Sequence, residues 1–334
     1  GHGWAVPDAK ALVVPEEPVV TAAALPPGSG SRLLQSLAFI RDPTRFFLEQ
    51  REKHGPIFTA NLPVGDTVIT GDPAGLKELF GADPDLFDVL SELPLIPVVG
   101  ETSLLVTAGS AHRRKRKLLM PPLHGDRLRA YGQRMQELAL EAMTTQAPGT
   151  RFRALDVTTN LSLAVIIGTV FGITEPERAG RFRTVLNAYM ESYTPLLAGF
   201  TPLRRNFGGF GPWARFQRNV TALHGLLDEE IAVRRARGED RQDILSLLLA
   251  ARDEDGAPMS DVEIKDELRS LLIAGHETVA IALAWALHHL ARAPEHLRTL
   301  REELDALGAP PSPEALGKAP FLTAVCDETL RLHP

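Results

Sequence analysis

Three stretches of the chain carry side chains of the type and spacing needed for chemistry. In Ala274-Gly275-His276-Glu277-Thr278 an acid adjoins a hydroxyl, a pair able to pass protons when buried. Gly275 costs a helix interior roughly 1 kcal/mol relative to Ala, which is expected where the backbone is closely approached or the helix bends. His112 and Arg116, within His112-Arg113-Arg114-Lys115-Arg116, are four apart and share a helix face. Two donors so placed suit a pair of carboxylates, one of which Arg can bind through two nitrogens. Glu328 and Arg331 are three apart and can pair along a helix. Each stretch also has a plainer reading: a back-bonded Thr beside an exposed acid, a solvated basic face, and a surface ion pair worth under about 1 kcal/mol.

Other chemistries are disfavoured. His276 has no partner at His-Glu-x-x-His spacing, and adjacent His288 and His289 face different sides of a helix, so neither suggests a metal site. The single cysteine, Cys326, allows no internal disulfide framework and no Cys-rich zinc site, and a reducing cytoplasm is the simplest compartment. A formal net charge of −6 argues against nucleic acid as a partner. The most apolar stretch, Leu271 to Leu290, is interrupted by His276, Glu277, His288 and His289, and reads as a buried helix; no membrane span is expected. Residues 1–27 carry no secretory signal.

The elements that position these groups are mostly helices. Residues 1–30, rich in Pro, Ala and Gly, read as an extended arm. An amphipathic segment spans 31–54, and the β-branched runs flanking Pro63-Val64-Gly65-Asp66 predict a small hairpin, followed by a helix from Pro73 to about Gly81. Ser91 to Ser103 is apolar but broken by prolines, and reads as a lid or a packed connection. Helices are predicted over 110–119, 126–146, 156–171, 176–196, 212–237, 242–253, 261–292, 294–307 and 320–333, with a break at 198–211. Ser260 and Glu263 form a capping box that starts the longest helix, and Pro294 stops it. Such a helix, roughly 50 Å long, must cross the middle of its domain.

Together these motifs resemble the cytochrome P450 family. Ala274-Gly275-His276-Glu277-Thr278 resembles the Ala-Gly-x-Asp/Glu-Thr motif of its central helix, with His276 at the variable position. Glu328-Thr329-Leu330-Arg331 resembles its Glu-x-x-Arg helix, and the basic run at 112–116 resembles the helix that grips the haem propionates. The order and spacing match from about residue 25 onward. The resemblance implies a mainly α P450 fold with a small N-terminal β region, residues 31–334 forming a partial domain that is incomplete at its C-terminus. It implies a haem-thiolate monooxygenase that splits dioxygen and inserts one oxygen atom into a small apolar substrate. Electrons would come from a separate ferredoxin- or flavodoxin-type donor.

By residue, the resemblance implies that His112 and Arg116 bind the propionates and that Ala274 and Gly275 lie against the distal face. Glu277 and Thr278 would relay protons to bound oxygen, and Glu328 with Arg331 would form a buried structural brace. The neighbouring Arg113, Arg114, Lys115 and Lys117 read as a solvated face. Leu93, Leu95, Ile96, Val98, Val99 and Ile273 are candidates for a hydrophobic pocket wall; those in the 91–103 stretch serve equally as core. In the family the iron is held by a Cys thiolate in a Gly-rich loop after the Glu-x-x-Arg helix. Pro334 directly follows that helix here, and Cys326, on the helix itself, reads as a small buried thiol. The expectation is a metal ligand outside these residues, no haem-thiolate activity from them alone, and as the alternative a helical scaffold without haem.

Overall fold

The computed structural model describes residues 24–334 apart from 29, 63, 89–93, 124, 125, 200, 239 and 240. Most of the predicted arm, and Leu93 of the predicted pocket wall, lie outside the described residues. The chain divides into two compact units, one ending at Ala82 and the other running from Asp83 to Pro334.

In the first unit the amphipathic segment forms two helices, α1 (Arg32–Arg41) and α2 (Pro43–His54). Asp42 ends the first and caps the second, its side chain accepting from the Arg45 N–H, and Pro43 sits where a missing N–H does no harm. The antiparallel hairpin β1 (Ile57–Leu62) and β2 (Gly65–Thr70) follows, then α3 (Pro73–Gly81). Phe46, Phe58, Ala60 and Leu62 form the small core of this unit.

The second unit is helical: α4 (Ile96–Val99), α5 (Gly109–Leu119), α6 (Asp126–Thr144), α7 (Ala154–Thr169), α8 (Pro176–Ser192), α9 (Pro195–Gly199), α10 (Pro212–Arg237), α11 (Ile244–Ala250), α12 (Asp261–Arg292), α13 (Pro294–Ala306), α14 (Pro313–Leu316) and α15 (Pro320–Leu332). Boundaries lie close to those predicted, and the exceptions have local causes. The predicted helix over 242–253 begins late because Asp243 is its cap, accepting from the Ser246 N–H. The one over 176–196 stops at Ser192, and Tyr193 beyond it donates its hydroxyl to the Pro94 carbonyl.

One apolar core joins α7, α8, α10, α11 and α12. Leu163, Ile166 and Ile167 on α7 share this core with Ile264, Leu268 and Leu272 on α12, the latter at the i, i+4, i+8 spacing that lines one helix face. The capping box forms as predicted, with Ser260 and Glu263 each accepting from the other's backbone N–H. By length and apolarity alone α12 meets the criteria for a membrane span, contrary to the sequence expectation. Its first half nevertheless carries buried Asp266, Glu267, Arg269 and Ser270, which a lipid-facing helix would not tolerate.

Polar groups fasten this core as well. Ser162 on α7 donates to the carbonyls of Gly275 and His276, and Thr158 donates to that of Ala280. Between α10 and α11, buried Arg234 binds buried Glu230, both oxygens of buried Asp243, the half-buried Ser246 hydroxyl and the Phe171 carbonyl.

Candidate active site

The Ala274–Thr278 motif sits midway along α12, and helical hydrogen bonding continues unbroken through Gly275. Nor does close approach demand glycine here: a Cβ at Gly275 would meet Ile166 Cδ1 at 3.6 Å, an ordinary van der Waals contact. The expectation of a buried acid is corrected. Ala274, Glu277 and Thr278 are exposed, and the Thr278 hydroxyl donates back to the Ala274 carbonyl at 2.5 Å. His276 is the buried member, 3% exposed, and its burial lowers its pKa and favours the neutral ring. Its place at the variable position of the motif hides this burial. The 3.6-residue period is the signal that could have found it: Leu272 and Ala280 flank it on the same face, both buried.

A cavity of about 350 Å³ lies beside this segment, lined by Pro94, Leu95, Val98, Met190, Tyr193, Ala198, Ile273, His276 and Glu277. Of the predicted wall residues, Leu95, Val98 and Ile273 reach it. Val99 is fully buried elsewhere in the packing, and Ile96 is half-buried away from the cavity.

The loop bearing Leu95 and Val98 is clamped to α12 by polar side chains. Asp266 accepts from the backbone N–H and hydroxyl of Thr102 at 3.0 and 2.8 Å, and Glu267 accepts from the Leu104 N–H at 2.8 Å. The Ser103 and Ser270 hydroxyls are 2.6 Å apart. Arg269 donates to the Pro97 carbonyl and to the Tyr189 hydroxyl, which itself donates to the Val98 carbonyl. Gly100, at φ +95°, allows this approach, since a Cβ there would stand 2.0 Å from the Asp266 carboxyl. Burial raises the Glu267 carboxyl to about 7, against the opposing pull of the Leu104 N–H and Lys115.

Helix α5 separates its basic residues into two sets. Arg113 pairs with Asp85, Arg114 with Asp253 and Glu263, Lys117 with Glu254, and buried Lys115 donates to the Thr102 carbonyl. The predicted solvated face is thus wrong for Lys115 and Arg114, which are drawn inward by acceptors on the loop and on α12. Among the described residues, His112 and Arg116 have no hydrogen-bonding or ionic partner, although His112 is half-buried. Arg116→Ala is accordingly expected to change folding stability by less than about 0.5 kcal/mol, and Lys115→Ala to lower it by about 1–3 kcal/mol. Urea denaturation of the two variants checks this ordering, and equal losses would refute it.

On α15, Glu328 and Arg331 pair through two bonds of 2.6 and 2.7 Å, as spaced, but with both side chains more than half exposed. The predicted buried brace is not realised among the described residues, and an exposed pair contributes little. Cys326 is likewise exposed, against the expected buried thiol, because α15 turns Thr329 inward and this face outward. His289 Nε2 approaches His333 Nε2 at 2.9 Å while Trp285 stacks on His333 at 3.7 Å. Among the described residues no group of three or more metal-ligating side chains is assembled.

Residues 26–334 match the family model for cytochrome P450. The chain belongs to the cytochrome P450 family. It is 36% identical over 319 residues to a putative cytochrome P450 135A1 of Mycobacterium tuberculosis, an alignment covering 92% of this chain and 68% of that one. A putative cytochrome P450 137 of the same organism is 38% identical over 308 residues, covering 90% of this chain and 62% of the relative. The chain thus spans about two thirds of the length of these relatives. In fold it resembles a cyanobacterial P450, CYP120A1, solved with retinoic acid bound, at a TM-score of 0.79 and 24% identity over 92% of this chain and 69% of that one.

P450 membership implies haem, and the described residues fit one part of its environment. Among the described residues His112 and Arg116 are donors without partners, on a helix whose other cations are all engaged. The motif residues Ala274, Glu277 and Thr278 lie open on α12, continuous with exposed Val279, Ile281, Leu283 and Leu287. Cys326 does not fit as the axial ligand: it shares the exposed α15 surface with Glu328 and Arg331.

Proposed function

We propose that this chain supplies the propionate grip, the distal helix and part of the substrate chamber of a haem-thiolate monooxygenase. The substrate would be a small apolar molecule, oxidised in the cytoplasm with O2 and electrons from a separate ferredoxin- or flavodoxin-type donor. The observation that carries this reading is the unpartnered state of His112 and Arg116 beside four engaged neighbours. A free guanidinium and an imidazole one turn apart match two carboxylates in charge and reach. Bound haem would activate dioxygen, the part of the chemistry that no side chain here can perform.

The remaining roles belong to the protein. Leu95, Val98 and Ile273 exclude water and hold the apolar substrate. Glu277 takes a proton from solvent at its carboxylate and gives it up to the Thr278 hydroxyl oxygen, while Thr278, on leaving its bond to the Ala274 carbonyl, passes its own proton toward the chamber. The thiolate would come from residues other than Cys326, so these 334 residues alone would not give a haem-thiolate centre.

The test is haem retention and the reduced, CO-bound absorption spectrum. The 334-residue chain should show no thiolate-type band. A longer chain, with the downstream reading frame carrying a Phe-x-x-Gly-x-x-x-Cys loop, should show it. In that longer chain Arg116→Ala should weaken haem retention about tenfold or more, the worth of one charged hydrogen bond. Unchanged retention in a His112→Ala, Arg116→Ala double variant would remove the basis of the proposal. The back-bonded Thr278 favours the second reading, a helical scaffold without haem, and that reading predicts no haem uptake in any length of chain.

A further inference from the structure

We infer that His276 is a specificity-determining residue that hydrogen-bonds an uncharged oxygen of the substrate, a hydroxyl or a carbonyl, inside the cavity it lines. The substrate class is then an apolar body bearing one neutral oxygen function. This rests on the proposed use of the cavity as a substrate chamber.

Three observations support it. First, the imidazole is buried, yet neither ring nitrogen has a hydrogen-bond partner among the described residues. Nδ1 is buried without a partner, so we assign the ligand bond to Nε2, the other nitrogen of a ring that lines the cavity. Buried polar groups are satisfied in most proteins, and an exception in a cavity wall marks a place for a partner. Secondly, the other polar groups of the wall are occupied or turned to solvent. The Tyr193 hydroxyl is committed to the Pro94 carbonyl, and Glu277 is largely exposed. Pro94, Leu95, Val98, Met190, Ala198 and Ile273 offer only apolar surface. Thirdly, charge selects against ions. Burial keeps the ring neutral, so it offers no counter-charge to a carboxylate, which the neighbouring Glu277 would also repel.

The test uses three ring compounds of similar size: cyclooctanol, cyclooctanone and methylcyclooctane. Binding to the 334-residue chain is measured by ligand-observed NMR, alongside the ring nitrogen shifts of His276. The alcohol or the ketone should bind about five- to tenfold more tightly than the hydrocarbon, the worth of one neutral hydrogen bond. Preference for the ketone means that Nε2 donates; preference for the alcohol alone means that it accepts. The Nε2 resonance should move on saturation. His276→Leu should abolish the preference while keeping hydrocarbon affinity, and His276→Asn should retain part of it. A preference that survives in His276→Leu overturns the inference, as does an unmoved Nε2 resonance in the unaltered protein or no binding of any probe. Because no readout involves haem, absence of a thiolate spectrum would sink the monooxygenase reading and leave this result standing.

Discussion

Replacing Arg234 with methionine is expected to lower folding stability by about 3–5 kcal/mol, the cost of leaving buried charges without their counter-ion. Arg234 is 7% exposed and Glu230 3%, so neither can turn to water. The guanidinium makes bonds of 2.8 Å to Glu230, 2.8 and 2.7 Å to the two Asp243 oxygens, 2.6 Å to Ser246 and 2.8 Å to the Phe171 carbonyl. Methionine fills similar volume and satisfies none of them. Arg178 at Glu230 and Arg241 at Asp243 remain, which keeps the loss at the lower end of the range. Lysine should recover part of it, since one ammonium cannot reach five acceptors in a plane. Small domains hold only about 5–15 kcal/mol in all, so the methionine variant should be largely unfolded in moderate urea. A loss under about 1 kcal/mol would mean that Arg178 and Arg241 suffice.

Glu267→Gln should make the protein more stable above neutral pH and flatten one segment of its pH profile. The folded carboxyl titrates near 7 because burial penalises its charge, against an ordinary value of 4.5. Between those two values the folded state binds the proton and the unfolded state releases it. Stability from this group is therefore complete below about pH 4.5 and declines as pH rises to about 7, by at most ~3 kcal/mol. Glutamine keeps an oxygen for the Leu104 N–H and removes the titration. Urea midpoints of parent and variant should be close at pH 5, with the variant ahead by about 2 kcal/mol at pH 8. Parallel profiles would show that Glu267 ionises in the fold at no extra cost.

The helices were legible because their signals are local. The Ser260–Glu263 box, Pro294 and the 3.6-residue period of Ile264, Leu268 and Leu272 each specify α12 within its own stretch of chain. The grouping of His112 with Arg116 was legible from spacing. What spacing could not show was which neighbours had partners, since Asp85, Asp253 and Thr102 are distant in sequence or unmarked in type. The depth of each motif residue was also hidden. Glu277 and Thr278 looked buried and are exposed, while His276 looked incidental and is enclosed, because orientation of one helix face depends on α7 packing against it. The exposure of Glu328 and Arg331 is set the same way, by how α15 lies and not by the pair itself.

The clamp between α12 and the 94–106 loop has an evolutionary consequence. Among the described residues, the side-chain hydrogen bonds that hold the stretch Pro94–Val98 all go to backbone carbonyls, those of Pro94, Pro97 and Val98, from Tyr193, Arg269 and Tyr189. Peptide groups are the same whatever residue carries them. Half-buried Leu95 can therefore change size without losing any of those carbonyl anchors, whereas Val98, 6% exposed and part of the apolar core, is also held by its packing. Selection for a new substrate could reshape the chamber wall at Leu95 while the framework stays under its own, separate constraint.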